Sequence, residues 1–321
     1  MSWSKFSFRG AFAALLRDDR PDFRSLATND EFILSNRYVA GKYLPSDSSG
    51  RYHLTLNNNK STKQDGRADP PVPPKEMWEG YGLTENEYLE SGRRHMSAMQ
   101  QILAEAGARA QTLGNVLDLG CAAGRMIRFY PCDNEGSEIW GADINAKYVN
   151  WCQNHFPPPF LFVPITTLPH LPFEDNFFDL VYCGSVFTHI TDLADAWFLE
   201  IRRVLRKGGL AYITIQDKLS MQILLDNYAS TGEVTASELN CEKPGGEPGT
   251  SAAGTYWIHE FDKTLDLRSL DYASFSYEED PFSNIFYDRQ FLLEKWSRFS
   301  EIVSVTQQAY GCQTALLCRK R

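Results

Sequence analysis

"VLDLGCAAGRM", residues 116–126, decides how the rest of the chain is read. It begins as a short apolar strand, meets an acid, Asp118, and passes through a glycine-bearing loop. Beyond the loop, "RMIRFY" (125–130) is predicted to be a helix that Pro131 stops. Such loops usually hold a nucleotide, but both common phosphate grips fail on inspection. A dinucleotide loop, G-x-G-x-x-G, needs glycine at 120, 122 and 125, where the chain has Gly120, Ala122 and Arg125. A P-loop ends in Gly-Lys-Ser/Thr, where the chain has Gly124-Arg125-Met126. A nicotinamide dehydrogenase is disfavoured on the same count.

Outward from this stretch the chain alternates strand and helix. Apolar runs at 115–120, 138–144, 160–165, 178–184 and 210–215 read as strands, because each is short, β-branched or aromatic, and bounded by turn residues. Between them lie "NAKYVNWCQNHF" (145–156), with Asn145 as N-cap, and "DLADAWFLEIRRVLRKGG" (192–209), with Asp192 as N-cap and Gly208-Gly209 as its end. A capping box, Thr84 with Glu87, opens a helix over 84–107 ahead of the first strand. After a break, 288–299 reads as a helix and 301–310 and 314–321 as strands, the last one antiparallel. The expected fold is α/β: a doubly wound, mostly parallel seven-stranded Rossmann-like sheet with helices on both faces.

Placed in that fold, Asp118 lies at the end of the first strand, where open α/β sheets put their ligands. A carboxylate there suits an ammonium group. Gly120 and Gly124 let the backbone approach a bulky adenosyl group, and the next helix start offers amides to a carboxylate. Ammonium, carboxylate and adenosine together describe S-adenosylmethionine. That ligand calls for an acid at the end of the second strand to accept from the ribose hydroxyls. Asp143 stands there, in "GADIN", with Ile144 beside it to pack on the adenine.

"VLDLGCAAG", "GADIN", "LPFEDNFFDLVYCGSVFTHI" and "LEIRRVLRKGGLAYITI", in this order and spacing, resemble a class I S-adenosylmethionine-dependent methyltransferase. The phrases "WC", "SVFTHI" and "W…LEIRRVL…GG" also resemble a bacterial methyltransferase-domain family often associated with glycan or secondary-metabolite assembly. The resemblance covers 115–215 and, loosely, the last two strands. It implies cofactor contacts at Asp118, Gly120, Cys121, Ala122, Gly124, Asp143, Ile144, Thr167, Leu168, Gly184 and Ser185. Many relatives carry an acid just before "LPF" for the adenine amino group. Here the stretch is "PITTLPHLPF", so Thr166, Thr167 or a backbone group would replace it.

Methyl transfer needs alignment and, for a hydroxyl acceptor, a base. His189, in the loop after the fourth strand, is the first candidate, and Asp217, just after the fifth, the second. For His189 the alternative is packing at the cofactor edge or capping the next helix. Arg125 and Arg94 are candidates for the methionine carboxylate, against a solvated helix face for each. Residues 216–284 form an insertion after the fifth strand, loop-like over 230–254 and aromatic at "YWIHEF" (256–261), and read as a substrate-side lid. His259 and Glu260 are candidates to face the acceptor there, with Tyr256, Trp257 and Phe261 as a stacking surface, against the packing of a small subdomain for these aromatics. The acceptor is expected to be a small molecule or a glycan, modified at a hydroxyl. A catalytically inactive cofactor-binding or partner-binding module is the alternative.

The domain is expected to span 76–321, preceded by an accessory segment, 1–75, that ends in the polar, Pro-rich linker "NNNKSTKQDGRADPPVPP". A formal charge of -9, with no basic run except Arg319-Lys320-Arg321, argues against nucleic acid. No stretch approaches the ~18 apolar residues of a membrane span, so no stable membrane insertion is expected. The 7 cysteines include no C-x-x-C pair, so no metal is expected and the thiols read as reduced, in a cytoplasmic protein. The oligomeric state is unreadable.

Overall fold

The computed structural model describes residues 69–131, 136–190, 193–231, 272–277 and 280–321, together with the short antiparallel pair Leu44–Pro45 and Tyr52–His53. In chain order the main elements are α1 (Glu85–Glu105), β1 (Val116–Leu119), β2 (Ile139–Asp143), α2 (Ala146–His155), β3 (Phe160–Pro164), β4 (Phe178–Cys183), α3 (Ala194–Val204) and β5 (Leu205–Ile215). These are followed by α4 (Lys218–Thr231), β6 (Tyr272–Tyr277), β7 (Asp280–Tyr287), α5 (Arg289–Trp296), β8 (Ser300–Tyr310) and β9 (Gln313–Lys320).

Seven strands form one sheet in the order β8-β9-β5-β4-β1-β2-β3. β1 to β5 pair in parallel, whereas β9 is antiparallel to both β5 and β8. The chain leaves β1 for β2 and β3 on one side and returns to β4 and β5 on the other. The C-terminal ends of β1 and β4 therefore flank the crevice at which such sheets bind ligands.

Both faces are buried, as the near-continuous apolar strands required. In β4, Leu180 and Tyr182 point to the face covered by α1 and α2, and Phe178, Val181 and Cys183 to the face covered by α3 and α5. Met96, Met99 and Leu103 of α1 pack on the first face. Trp197, Phe198 and Ile201 of α3 pack on the second, where the Phe198 and Trp296 rings stack at 4.1 Å. The helix starts follow local chemistry. Thr84 and Glu87 make the capping box of α1, Asn145 accepts from the Lys147 amide at 3.1 Å, and Asp288 accepts from Phe291 at 3.0 Å. Gly107, at φ +79°, supplies the left-handed turn after α1.

Three expectations need correction. Residues 125–130 form no α-helix but a 3-10 turn, Ile127–Phe129. Pro131 ends the stretch before helix propagation can offset its nucleation. The helix over 192–209 closes at Val204, and Gly208-Gly209 lie inside β5, at a bulge where Phe178 faces Leu205 but Leu180 faces Leu210. Its expected cap, Asp192, is outside the described residues. Within the insertion, α4 begins two residues after Gln216, and the β6–β7 hairpin spans its far end. The thiols are not uniformly reduced. Cys121, Cys152, Cys183 and Cys318 are free and buried, but Cys312, between β8 and β9, is disulfide-bonded. The expected loop beyond Thr231, the "YWIHEF" aromatics with His259 and Glu260, and most of 1–75 also lie outside them. Among the described residues no helix is long and apolar enough to cross a membrane.

Candidate functional site

The predicted cofactor residues lie at or just beyond C-terminal strand ends, so the parallel topology gathers them along one edge of the sheet. The loop after β1 is tied to β2, as the amides of Gly120 and Cys121 donate to the Ala142 carbonyl at 2.7 and 3.1 Å. Gly120 and Gly124 have φ of +81° and +80°. A Cβ on Gly120 would stand 2.3 Å from Val186, and one on Gly124 2.3 Å from the Phe156 ring. Glycine is required at both positions by conformation and by space. Between them Ala122 is also left-handed, at φ 45°, a conformation that costs an L-residue about 1 kcal/mol. Its amide donates to Asp143 Oδ2 at 2.8 Å, and two buried thiols, Cys121 and Cys152, donate to its carbonyl.

Asp143, at the end of β2, also accepts from the Asn145 amide at 2.7 Å. Beside it Ile144 is 44% exposed, and Leu168, after β3, is 63% exposed. Both are large apolar side chains left open to solvent. Thr167 is exposed, and its carbonyl accepts from Trp197 Nε1 at 3.3 Å. The loop between β3 and β4 is clamped from α3: Arg203 donates to the carbonyls of Leu171 and Phe173 and pairs with Glu200 and Asp175.

Asp118 is buried under the glycine loop. Burial pushes its carboxyl up from the ordinary range to about 7, against the lowering pull of the Tyr182 hydroxyl and the Arg125 guanidinium. The Tyr182 hydroxyl faces Asp118, but no hydrogen bond of regular geometry satisfies it. Burial pushes that phenol well above its usual range.

Arg125 is buried rather than on a solvated face, contrary to the sequence reading. Nη1 donates to Ser91 Oγ and lies on His95 Nδ1, both at 3.1 Å, and Nη2 donates to the Tyr310 hydroxyl. The Tyr81 ring lies over the guanidinium at 3.6 Å, and the Tyr81 and Tyr310 hydroxyls share a hydrogen bond of 3.0 Å. The Tyr310 ring fills the space where Gly184 would carry a Cβ, 2.5 Å away. This cluster beside the cofactor loop comes from four separated segments, and no local pattern announced it.

Ser185, after β4, is left-handed at φ 59°; its amide donates to Thr214 Oγ1 at 2.7 Å, and its hydroxyl accepts from Gln313 Nε2 at 2.9 Å. His189 is exposed on the next 3-10 turn. The turn is tied to β7 by the Tyr287 hydroxyl, which donates to the carbonyls of Phe187 and Ile190 at 3.0 and 2.6 Å. Asp217 has another occupation. Oδ1 accepts from the amides of Leu219 and Ser220, and Oδ2 from Thr314 Oγ1 at 2.8 Å and Arg289 at 3.0 Å. Four contacts on a buried carboxylate make it the cap of α4 and the anchor of α5, and leave it badly placed to take a proton. Among the described residues no group of His, Cys, Asp and Glu could hold a metal ion.

Residues 117–213 match the family model of a methyltransferase domain. The chain is 30% identical over 122 residues to a malonyl-[acyl-carrier protein] O-methyltransferase of Salmonella typhimurium, over 37% of this chain and 46% of that one. It is 28% identical over 124 residues to a ubiquinone/menaquinone biosynthesis C-methyltransferase of Cupriavidus pinatubonensis, over 38% and 50%. It is 33% identical over 100 residues to a sterol 24-C-methyltransferase of Schizosaccharomyces pombe, over 30% and 26%. It thus spans half or less of the length of these relatives. Residues 117–213, from β1 to β5, are thus similar to a methyltransferase domain.

Proposed function

We propose that this protein transfers a methyl group from S-adenosylmethionine to a hydroxyl of a small-molecule or glycan acceptor. The observation that carries the reading is the latch between Ala122 and Asp143. A strained backbone residue in the loop after β1 is held by the acid at the end of β2, the two places where the cofactor's amino-acid end and ribose would be recognised. Bound there, the cofactor supplies an electrophilic methyl on a sulfonium.

The protein's own part is binding, exclusion and proton handling. Asp118 offers a buried carboxyl to the ammonium group, and Gly120, Cys121, Ala122 and Gly124 bring the backbone close. Asp143 accepts from the ribose, Ile144, Thr167 and Leu168 line the base, and Gly184 and Ser185 close the other side. His189, on the rim and open to solvent, is the base that takes the acceptor proton, and its turn is held by Tyr287, just past the insertion over 216–284. That insertion is read as the acceptor side, and residues 1–75 as an accessory segment. The protein is read as acting in the cytoplasm, without a nucleic-acid substrate.

The test is transfer of labelled methyl from the cofactor to a panel of sugars, nucleotide sugars and phenols, with S-adenosylhomocysteine affinity measured beside it. Tight cofactor binding with no transfer to any acceptor would leave a binding module and overturn the catalytic reading.

A further inference from the structure

A second cleft, of about 390 Å³, opens at the opposite edge of the sheet from the cofactor residues. Its walls come from the end of α1, the start of β4, the bulge of β5 and the end of β9. We propose that this cleft, where Arg109, Arg206 and Arg319 converge, binds a compact, multiply charged phosphate anion the size of pyrophosphate or a nucleoside diphosphate.

The three arginines come from separate segments. The basic residues within 202–207 and the run at 319–321 lie far apart in sequence, but antiparallel pairing sets Arg319 opposite Leu210 and folds them onto one edge. Lys320 reaches back to the carbonyls of Arg203 and Leu205. Its ammonium is pulled below the usual lysine range, first by burial and then by the Arg202 guanidinium, against the raising pull of Asp175. Arg109 enters from the other wall, exposed and without a side-chain partner among the described residues.

The opposing charge is smaller. Asp179 pairs with Arg206 and accepts from the Asn115 amide, and Glu301 pairs with Arg319 at 3.3 Å in an open, solvent-screened contact. The carbonyl end of α1 adds a partial negative charge, which Arg319 partly covers through the Ala106 carbonyl at 3.5 Å. Three guanidinium groups, with Lys207 and Lys320 nearby, exceed this. Guanidinium forks match phosphate oxygens in pairs, which a lone lysine does not. Gly107 and Gly208 leave open space where side chains would stand, so the mouth is unobstructed between the arginines. The volume falls within the range of small-ligand pockets, about 300–1,000 Å³. A positive cleft is notable in a chain of net charge -9, and opposite charges farther than about 10 Å away are screened from it.

The experiment is calorimetric titration of the full chain with inorganic pyrophosphate and with ADP at fixed ionic strength, with and without saturating S-adenosylhomocysteine. Arg109→Glu is the main variant because Arg109 holds nothing else in place. Arg109→Gln/Arg206→Gln is the second, with melting temperature and S-adenosylhomocysteine affinity measured for each. Pyrophosphate affinity should fall by about tenfold or more in Arg109→Glu while S-adenosylhomocysteine affinity is unchanged. ADP binding as tightly as pyrophosphate assigns recognition to the phosphates alone; tighter ADP binding adds a nucleoside contact. Both support the proposal. No pyrophosphate binding by the wild type, equal binding by both variants, or displacement by S-adenosylhomocysteine would overturn it. Binding of a polyglutamate peptide without pyrophosphate would overturn it in favour of an acidic protein surface.

Discussion

The amide of Ala122 donates to Asp143 Oδ2 at 2.8 Å, so the one left-handed alanine of the glycine loop is fastened to the end of the neighbouring strand. Asp143→Ala removes an acceptor used by two backbone amides, Ala122 and Asn145. Stability should fall by about 1–3 kcal/mol, and S-adenosylhomocysteine affinity by about 100-fold or more. Ala122→Gly should stay within about 1 kcal/mol, because relief of strain offsets the added freedom of the unfolded chain. Calorimetry and thermal melting separate the two. Unchanged affinity in Asp143→Ala would mean that the ribose is recognised elsewhere.

Asp118 gives the site a pH signature. Its folded pKa, about 7, is above the unfolded carboxylate value, so between the two the folded state holds a proton that the unfolded state has lost. Ligand-free stability should therefore fall as pH rises from about 4 to 7, by up to about 1.4 kcal/mol per unit. A cationic ammonium beside Asp118 favours ionisation, so cofactor binding should release a proton below pH 7 and tighten as pH rises. Titrations in buffers of different ionisation enthalpy measure the proton count. Asp118→Asn should abolish both trends.

Asp217 should behave as a structural acid. Asp217→Ala uncaps α4 and strands Arg289, at a cost on the order of 3 kcal/mol. Asp217→Asn keeps an oxygen for the two α4 amides and should lose less. In both, kcat per folded molecule should hold. A collapse of kcat with an unchanged melting temperature would return Asp217 to the chemistry.

His189→Gln should lower kcat by about 10²–10⁴-fold for a hydroxyl acceptor and leave cofactor affinity and melting temperature near wild type. The acid limb of the kcat–pH profile should disappear with it. Retention of that limb would show that another group takes the proton.

What was legible in the sequence was what short spacing encodes. The Thr84–Glu87 box, the Asn145 cap, the strand over 178–184, and the strand-end positions of Asp118 and Asp143 each depend on residues a few places apart. What escaped depends on distant partners. Arg125 looks like a surface residue until Tyr81, Ser91, His95 and Tyr310 surround it, and Asp217 looks free until Thr314 and Arg289 arrive. The helix over 125–130 failed for a related reason. Its apolar pattern is real, since Met126, Ile127 and Tyr130 are all buried, but side chains can be buried from a turn as well as from a helix. Clamping of the β3–β4 loop by Arg203 explains why "LPFEDNFFDL" and "LEIRRVL" occur together: one is the grip and the other what it grips.

The position of β9 has a consequence for how the molecule is made. β9 is the last strand in chain order, yet it lies inside the sheet, between β5 and β8, and its Gln313 and Thr314 complete the surroundings of Ser185 and Asp217. Until it docks, β5 is an open edge, and open edges invite pairing with other chains. Formation of the site therefore waits on contacts about a hundred residues apart in the chain, which are slow to close. During synthesis, the five parallel strands should pass through an interval of exposure in which a chaperone, rather than a ligand, is their natural companion.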